Sequence, residues 1–274
     1  MLLALAAEHR LILVGHAAAA LGTGRRSAGA RLARLSRVGL LASGQPLGDQ
    51  RWYQATRAGL ELTGRDLPAP AAVRPSAYEH DVGMAWVWLA AQKGAFGPVR
   101  SLLSEREMRS RDGRSRPAVG GPPLLGVPIH GLGPGGGERR HYPDLLVETT
   151  EGRRIAVELE LSAKSRRARE QVLRAYGGQH GIDAVVYLTD RPGIGQAIAA
   201  SARRLWVDDL LTVRAIAFGP GAGGLTPGRT GGLTRGPTGG LTSGRAGGLT
   251  RGRTGGRSAP VRAVPPPDHS PAQR

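Results

Sequence analysis

The stretch from His141 to Tyr176 restricts the possible fold of this chain more than any other part of the sequence. Apolar and polar residues alternate on both sides of Gly152, and this period of two is typical of two strands joined by a tight turn. In the second strand four aliphatic residues share one face: Ile155, Val157, Leu159 and Leu161. Glu158 and Glu160 alternate with them, and residues 165–176 follow with the spacing of an amphipathic helix. The pattern predicts strand, turn, strand and helix, with both glutamates on one face of the sheet.

The apolar residues also predict how the two strands pair. If the apolar faces stay together, Val147 lies on the same side as Val157, and Leu145 on the same side as Leu159. This arrangement requires a turn with an odd number of residues, such as 151–153, in which Gly152 adopts a positive φ. The face opposite the aliphatic residues then carries the acidic side chains of both strands.

We expect Asp144 to lie beside Glu158 or Glu160 in this arrangement. Converging carboxylates raise one another's pKa unless a divalent cation or basic groups compensate for their charge. Lys164 is a candidate for such a basic group, and it is one of only two lysines in the chain. The alternative is an ordinary hairpin with one solvated acidic face.

Charge and composition limit the classes of partner. The formal net charge is +17, which favours a polyanionic partner. Nucleic acid is favoured over a membrane surface because no stretch is apolar and long enough to span a bilayer. Cysteine is absent, which excludes disulfides and thiolate metal sites and fits a reducing compartment. The apolar residues 1–7 are not preceded by a basic segment and are followed directly by Glu8, His9 and Arg10. They therefore predict a helix rather than a signal peptide, and we expect a cytoplasmic protein.

Residues 1–67 have the pattern of a winged helix-turn-helix. Helices are predicted at 2–9, 11–21 and 25–38, and the third carries an apolar stripe formed by Ala28, Leu32, Leu35 and Val38. Two strands around a polar turn at 43–50 follow, as in a β-wing, and then a short helix. The candidate DNA-binding residues are the arginines of the third helix and of the wing: Arg25, Arg26, Arg31, Arg34, Arg37 and Arg51. The alternative is a three-helix module that uses the same stripe only for packing.

The rest of the chain divides into a linker, an α/β domain and a tail. Residues 68–75 are rich in proline and predict a stiff linker. Ser76 and Glu79 predict a capping box at the start of a helix ending at Gln92. Further elements predicted from periodicity are a strand over 99–109, the hairpin, the helix at 165–176, a strand at 182–189, a helix at 193–205 and a strand at 211–218. Within residues 76–218 we expect a flexible insertion at 110–140, because this part is rich in Gly, Pro and Arg.

Residues 219–274 contain an eight-residue repeat that begins at Gly223, as in GGLTPGRT and GGLTRGPT. Each unit has one leucine and no aromatic residue, which is too little apolar surface to offset the entropy of ordering, so a disordered tail is predicted. Its glycine and arginine content allows weak, salt-sensitive contact with nucleic acid. The alternative is a repeat expansion without a selected role.

The predicted order αβββαβ, with Pro143-Asp144 and Glu158-Leu159-Glu160 on neighbouring strands, resembles the PD-(D/E)xK nuclease core. The resemblance implies that Asp144 and Glu158 bind Mg²⁺ or Mn²⁺. Where that family has lysine, this chain has Glu160, and the nearest lysine is Lys164.

A more specific resemblance covers about residues 1–218. A winged helix followed by YEHDVGMA, LLSEREMR, HYPDLLVE and IAVELELSAKS is similar to the replication-relaxation family of actinobacterial plasmid and mobile-element proteins. This similarity adds His80 and Glu105 to the candidate catalytic residues Asp144, Glu158, Glu160 and Lys164. For His80 the alternative is a histidine on the helix surface or at its cap.

Three functions agree with these patterns. The first is a DNA-binding protein of plasmid or mobile-element replication or mobilisation that does not cleave, binds double-stranded DNA and other replication or transfer proteins, and is associated with the nucleoid or plasmid. The second is a metal-dependent endonuclease in which Asp144 and Glu158 hold the metal and Lys164 orients the nucleophile. The third is a repressor whose α/β domain only forms a homodimer. The sequence has no Walker loop, His/Cys metal spacing or nucleophile elbow, so it gives no support to ATPases, zinc proteins or serine hydrolases.

Overall fold

The structure is a computed structural model that describes residues 1–45, 50–114, 124–129, 138–179, 181–218 and 225–227. It is a mixed α and β fold. The helices of the described residues are α1 (Leu2–Glu8), α2 (Val14–Leu21), α3 (Arg25–Arg37), α4 (Arg57–Leu62), α5 (Pro75–Gln92), α6 (Glu105–Arg114), α7 (Arg166–Gly177) and α8 (Pro192–Leu205). The strands are β1 (Ile12–Leu13), β2 (Leu41–Gly44), β3 (Trp52–Ala55), β4 (Val99–Ser104), β5 (Val127–Ile129), β6 (Arg139–His141), β7 (Leu145–Thr149), β8 (Arg154–Leu159), β9 (Ala184–Thr189), β10 (Leu211–Phe218) and β11 (Leu225–Pro227).

The first part of the chain contains the three predicted helices and the two predicted strands. Gly22, with φ of 62°, ends α2 and allows the tight turn into α3. In α3, Ala28 and Leu32 are fully buried, as the apolar stripe predicts. Val38 is 61% exposed, so the stripe is wrong at its last position, because α3 ends at Arg37 and the chain turns away there. The tip of the predicted wing, residues 46–49, lies outside the described residues.

Strand β1 was not expected from the sequence. Ile12 and Leu13 fall within the predicted helix 11–21, but they pair with Tyr53 and Trp52 of β3. The helix starts later because the backbone N–H of Leu13 donates to Nδ1 of His16 over 3.0 Å, which caps α2 at Leu13.

A six-stranded sheet forms the centre of the α/β part, in the order β11-β10-β9-β8-β7-β4. Strands β8, β9 and β10 are parallel, and the other pairs are antiparallel. The predicted order of helix, three strands, helix and strand is present in this part of the chain. Helix α6 and the two-stranded ribbon of β5 and β6 are inserted between the first and second of these strands.

The hairpin of β7 and β8 has the predicted faces. Leu145 pairs with Val157, and Val147 with Ile155, so the alternating aliphatic residues share one side. The turn contains three residues between Thr149 and Arg153, whose backbones hydrogen-bond over 2.9 Å. Gly152 lies in this turn with φ of 82°, as predicted. The odd-length turn begins one residue earlier than expected.

Both faces of the sheet are covered. On the aliphatic face of the hairpin, one continuous buried cluster joins Leu145 and Val157 to α5 and also to Leu2 and Leu5 of α1. A second cluster on the opposite face contains Ala156 and residues of α7 and α8. All described residues before position 219 therefore belong to one compact unit, although the sequence predicts two domains.

The segment predicted as a linker is held by contacts from both sides. Nε2 of Gln54 donates to the carbonyl oxygen of Ala71 over 3.0 Å. The guanidinium of Arg106 donates to the backbone carbonyls of Ala7, His9 and Pro68. These contacts tie the first helix, the linker, β3 and α6 to one another.

The predicted strand 99–109 is wrong in its second half, where the chain forms α6. Ser104 accepts a hydrogen bond from the backbone N–H of Glu107 over 3.2 Å, and the pairs Glu105–Arg109 and Glu107–Arg111 stabilise the helix at a spacing of four. The predicted flexible insertion 110–140 also needs correction, because its described parts include the end of α6 and most of the β5–β6 ribbon. In these described parts, the backbone hydrogen bonds of the ribbon are accompanied by burial of Val127 in the second core cluster.

Two further boundaries differ from expectation. Helix α5 begins at Pro75, because the fixed φ of proline suits the first helical position. Ser76 therefore lies inside the helix and is not its cap. Within the predicted disordered tail, Leu225–Pro227 forms an edge strand that pairs with Ile216–Phe218. The other residues of 219–274 lie outside the described part, so the disorder expected there stays a prediction. Among the described residues no helix is long and apolar enough to cross a membrane.

Candidate functional site

The predicted acidic residues meet at one end of β7 and β8. Asp144 directly precedes β7, Glu158 is the penultimate residue of β8, and Glu160 follows its end. The backbone N–H of Glu160 donates to the carbonyl oxygen of Leu188 in β9 over 2.8 Å, which fixes the chain beyond β8. The three carboxylates therefore lie at the same end of the hairpin, and we call Asp144, Glu158, Glu160 and Lys164 the carboxylate cluster.

Asp144 is bound from β8 and from α5. Its Oδ2 accepts the backbone N–H of Leu159 over 2.8 Å and lies 3.2 Å from Nε2 of His80. Burial acts to raise the pKa of Asp144, but the hydrogen bond and charge of His80 outweigh it and lower this pKa. Burial also acts to lower the pKa of His80, yet Asp144 raises it to about 9. His80 is therefore a charged partner of Asp144 at neutral pH, and not merely a surface histidine.

Glu158 is buried, and its partners were missed by the sequence analysis. Its Oε1 lies 2.7 Å from Nε2 of His141 and also accepts the hydroxyl of Tyr176. Burial opposes a charge on His141, but the carboxylate of Glu158 raises the pKa of this histidine. Burial, followed by the Glu158 charge, raises the pKa of Tyr176 well above its usual value, so this phenol remains a donor. His141 directly precedes the hairpin and Tyr176 ends the helix, and their aromatic rings meet edge to face.

Lys164 compensates the charge of the cluster through Glu160. Its Nζ lies 2.5 Å from Oε2 of Glu160. Burial raises the pKa of Glu160 although Lys164 acts to lower it, and the charge of Glu160 raises the pKa of Lys164. The lysine is 45% exposed and bound to this one carboxylate. Lys164 is therefore paired with Glu160. The nuclease resemblance would instead assign this lysine to orienting a nucleophile.

The cluster in this arrangement does not fit a metal ion. Among the residues that the structure describes, no three His, Asp or Glu side chains are placed to hold one. Oδ2 of Asp144 and Oε1 of Glu158 face the donor atoms of His80 and His141 instead. One oxygen of each carboxylate is thus already held by a histidine, and the predicted Mg²⁺ or Mn²⁺ belongs only to the alternative function below.

A cavity of about 260 Å³ lies beside Asp144. His80 and Glu105 line it together with Asp144, and residues of the first helix and of β4 complete its wall. Glu105, however, is paired with Arg109 over 2.8 Å and with Arg10 over 3.5 Å. Of the two additional candidates, the structure brings His80 into contact with Asp144 and binds Glu105 to arginines.

The candidate DNA-binding arginines form a second feature, on α3 and the strands that follow it. All six are exposed: Arg25, Arg26, Arg31, Arg34, Arg37 and Arg51. Arg25 contacts Oε1 of Gln50 over 3.3 Å, which links α3 to the chain just before β3. Arg51 contacts the hydroxyl of Ser43 in β2 over 3.4 Å. The sequence contains no acidic residue between Glu8 and Asp49, and none of the six forms an ion pair within the described part of the chain. We call this the α3 arginine surface.

Comparisons of the chain with family models, with curated proteins and with solved structures find no match. The two resemblances stated above therefore rest on the quoted motifs and on the order of the elements.

Proposed function

We propose that the protein binds double-stranded DNA through the α3 arginine surface. The observation that carries this proposal is that none of the six exposed arginines forms an ion pair within the described part of the chain, which leaves their charge available to phosphates. Helix α3 follows a short glycine turn after α2, and an antiparallel strand pair follows α3, an order that suits a winged helix-turn-helix. In this fold the last helix enters the major groove, and the wing carrying Arg51 contacts the backbone.

We further propose that the α/β part is a nuclease-like domain that contacts DNA without cleaving it. Its element order and the position of Asp144 and Glu158 on neighbouring strands support the PD-(D/E)xK assignment. Histidines bind both of these carboxylates and Lys164 binds Glu160, so each carboxylate of the cluster already has a partner within the protein. The motifs quoted above favour a role of the replication-relaxation type, in replication or mobilisation of a plasmid or mobile element in the cytoplasm.

Replacing Arg31 and Arg34 together with alanine should weaken duplex binding by about 1–3 kcal/mol for each arginine that hydrogen-bonds a base, and by less for one that binds a phosphate. The residues are exposed, so the fold should be unchanged. The measurement is a gel-shift titration at fixed salt. A matched control replaces Arg100 and Arg153, which are exposed and lie away from α3. Equal affinities of the two double variants would show that α3 does not bind the duplex.

A metal-dependent endonuclease is the second candidate, favoured by the convergence of Asp144 and Glu158. We expect no nicking when the purified protein is incubated with supercoiled or single-stranded DNA in Mg²⁺ or in Mn²⁺, because Glu160 binds Lys164, the residue that would orient a nucleophile. The Asp144→Ala variant is the control. Nicking by the unmodified protein that disappears in this variant would establish the endonuclease and overturn binding without turnover.

A further inference from the structure

Trp206 has a combination of properties that folding does not explain. Its side chain is 88% exposed, and its backbone is left-handed with φ of 56° and ψ of 40°. No other non-glycine residue in the described part of the chain has a positive φ. Glycine is the favoured residue at such a helix end because a Cβ strains this conformation. A tryptophan here brings strain without burial, which is typical of a residue retained for contact with another molecule.

Helices α7 and α8, which end near Trp206, carry a second group of arginines. They are Arg166, Arg167, Arg169, Arg174, Arg203 and Arg204, which we call the α7–α8 arginine surface. Glu170 is the one acidic residue of the two helices. Its carboxylate holds three of the guanidinium groups, at 2.8 Å for Arg166 and Arg204 and at 3.3 Å for Arg174. One buried acid therefore positions several arginines whose outer faces remain exposed, and most of their charge is left uncompensated.

The surface extends from Trp206 to the carboxylate cluster. The two helices run side by side in the same direction, since Arg169 donates to Ser201 over 2.9 Å and a Cβ on Gly177 would meet Val207. Trp206 thus lies at the end where α7 stops. At the other end, Nη1 of Arg169 donates to the carbonyl oxygen of Lys164 over 3.2 Å. A helix of twelve residues is about 18 Å long, which is the span of a few nucleotides.

We propose that the α7–α8 arginine surface binds single-stranded DNA, with phosphates on the arginines and an unpaired base stacked on Trp206. An exposed indole offers its face to a base only if that base is not paired, which favours a single strand over a duplex. Guanidinium groups bind phosphate oxygens along the strand. The site is separate from α3, and a strand held here would extend towards Lys164 and the carboxylate cluster.

The test measures fluorescence anisotropy of a short fluorescein-labelled oligothymidylate, which cannot form a duplex, with the full chain. Replacing Trp206 with glycine should weaken binding about tenfold, the effect of removing one stacked base. The same variant should be at least as stable to heat as the unmodified protein, because glycine relieves the left-handed strain. Its affinity for a duplex should be unchanged.

A second variant tests the phosphate contacts. Replacing Arg167 and Arg203 with alanine should reduce the slope of log affinity against log salt by about 0.7 for each phosphate that is no longer bound, whereas the Arg100 and Arg153 control should leave the slope unchanged. The proposal is overturned if Trp206→Gly binds the oligonucleotide as tightly as the unmodified protein. It is also overturned if this variant changes the oligomeric mass in light scattering and not the affinity, because Trp206 would then contact a protein.

Discussion

Lowering the pH from 7 to 5 should reduce the free energy of unfolding by about 3 kcal/mol, because two histidines are buried without charge. Burial, assisted by the charge of Arg106, lowers the pKa of His9 to about 3. Burial also lowers the pKa of His16 to about 3, and the nearby His9 acts in the same direction. The unfolded chain takes up these protons near pH 6.5 and the folded chain does not. The contribution of these two histidines to the free energy of unfolding is therefore complete above pH 6.5 and is lost as the pH falls towards 3.

His80, whose pKa is shifted upwards, opposes only a small part of this loss of stability. The pKa of His80 is raised to about 9, so its contribution is complete below pH 6.5 and is lost as the pH rises through 9. Most of that contribution is already present at pH 7. Acidification from pH 7 to pH 5 therefore adds about 1 kcal/mol from His80 and removes about 4 kcal/mol from the two buried rings.

Urea unfolding at pH 7 and pH 5 measures this difference, and His9→Phe is the informative variant. His9 packs edge to face on Trp88, and its Nε2 has no hydrogen-bond partner in the described structure, so phenylalanine preserves the packing. The variant should lose about half of the pH dependence and keep its stability at pH 7. If the unmodified protein is equally stable at both pH values, the two rings are not buried as described.

Replacing Gly59 with alanine should reduce stability by about 3 kcal/mol, because α4 approaches a backbone carbonyl too closely for a side chain. A Cβ at this position would lie 2.2 Å from the carbonyl oxygen of Leu40. That same carbonyl accepts hydrogen bonds from both the backbone and the hydroxyl of Thr56, which caps α4. Movement of α4 to admit a methyl group would lengthen these bonds, so the cost includes weaker hydrogen bonds as well as overlap.

Gly193 provides the matched control for this experiment. It is also a helical glycine, but it is exposed, and a Cβ added to it would meet no atom within 4 Å apart from its chain neighbours and its own helix. Gly193→Ala should therefore be neutral or slightly stabilising, because alanine favours the helix. Thermal unfolding followed by circular dichroism compares the two variants. Equal unfolding temperatures of the two variants would mean that α4 can shift without loss of stability.

The parts of the fold that were predicted correctly are those in which a periodic pattern is also a packing pattern. The hairpin is the best example, since the alternation that placed Leu145 and Val157 on one face also brought Asp144 towards Glu158. The contact between Lys164 and Glu160 followed from the same argument. The exposed arginines of α3 were predicted because the apolar stripe fixed which side of the helix faces inwards.

The errors occur where a local interaction overrides the pattern. Residues Ser104 to Glu107 have a capping-box spacing that could have indicated the start of α6, but the apolar residues before them suggested a continued strand. His141 and Tyr176 lie 35 positions apart and meet at Glu158 only through the fold, so no spacing in the sequence indicated them. Strand β11 forms because the free edge of β10 offers backbone partners, which composition alone does not show.

The shared core of the first helices and the central sheet has a geometric consequence for DNA binding. Because Leu2 and Leu5 pack in the same buried cluster as Leu145 and Val157, α3 and the carboxylate cluster belong to one compact unit. If α3 binds a duplex as proposed, the point that the carboxylate cluster can reach is a set number of base pairs away. That interval would be determined by packing rather than by the length of a linker.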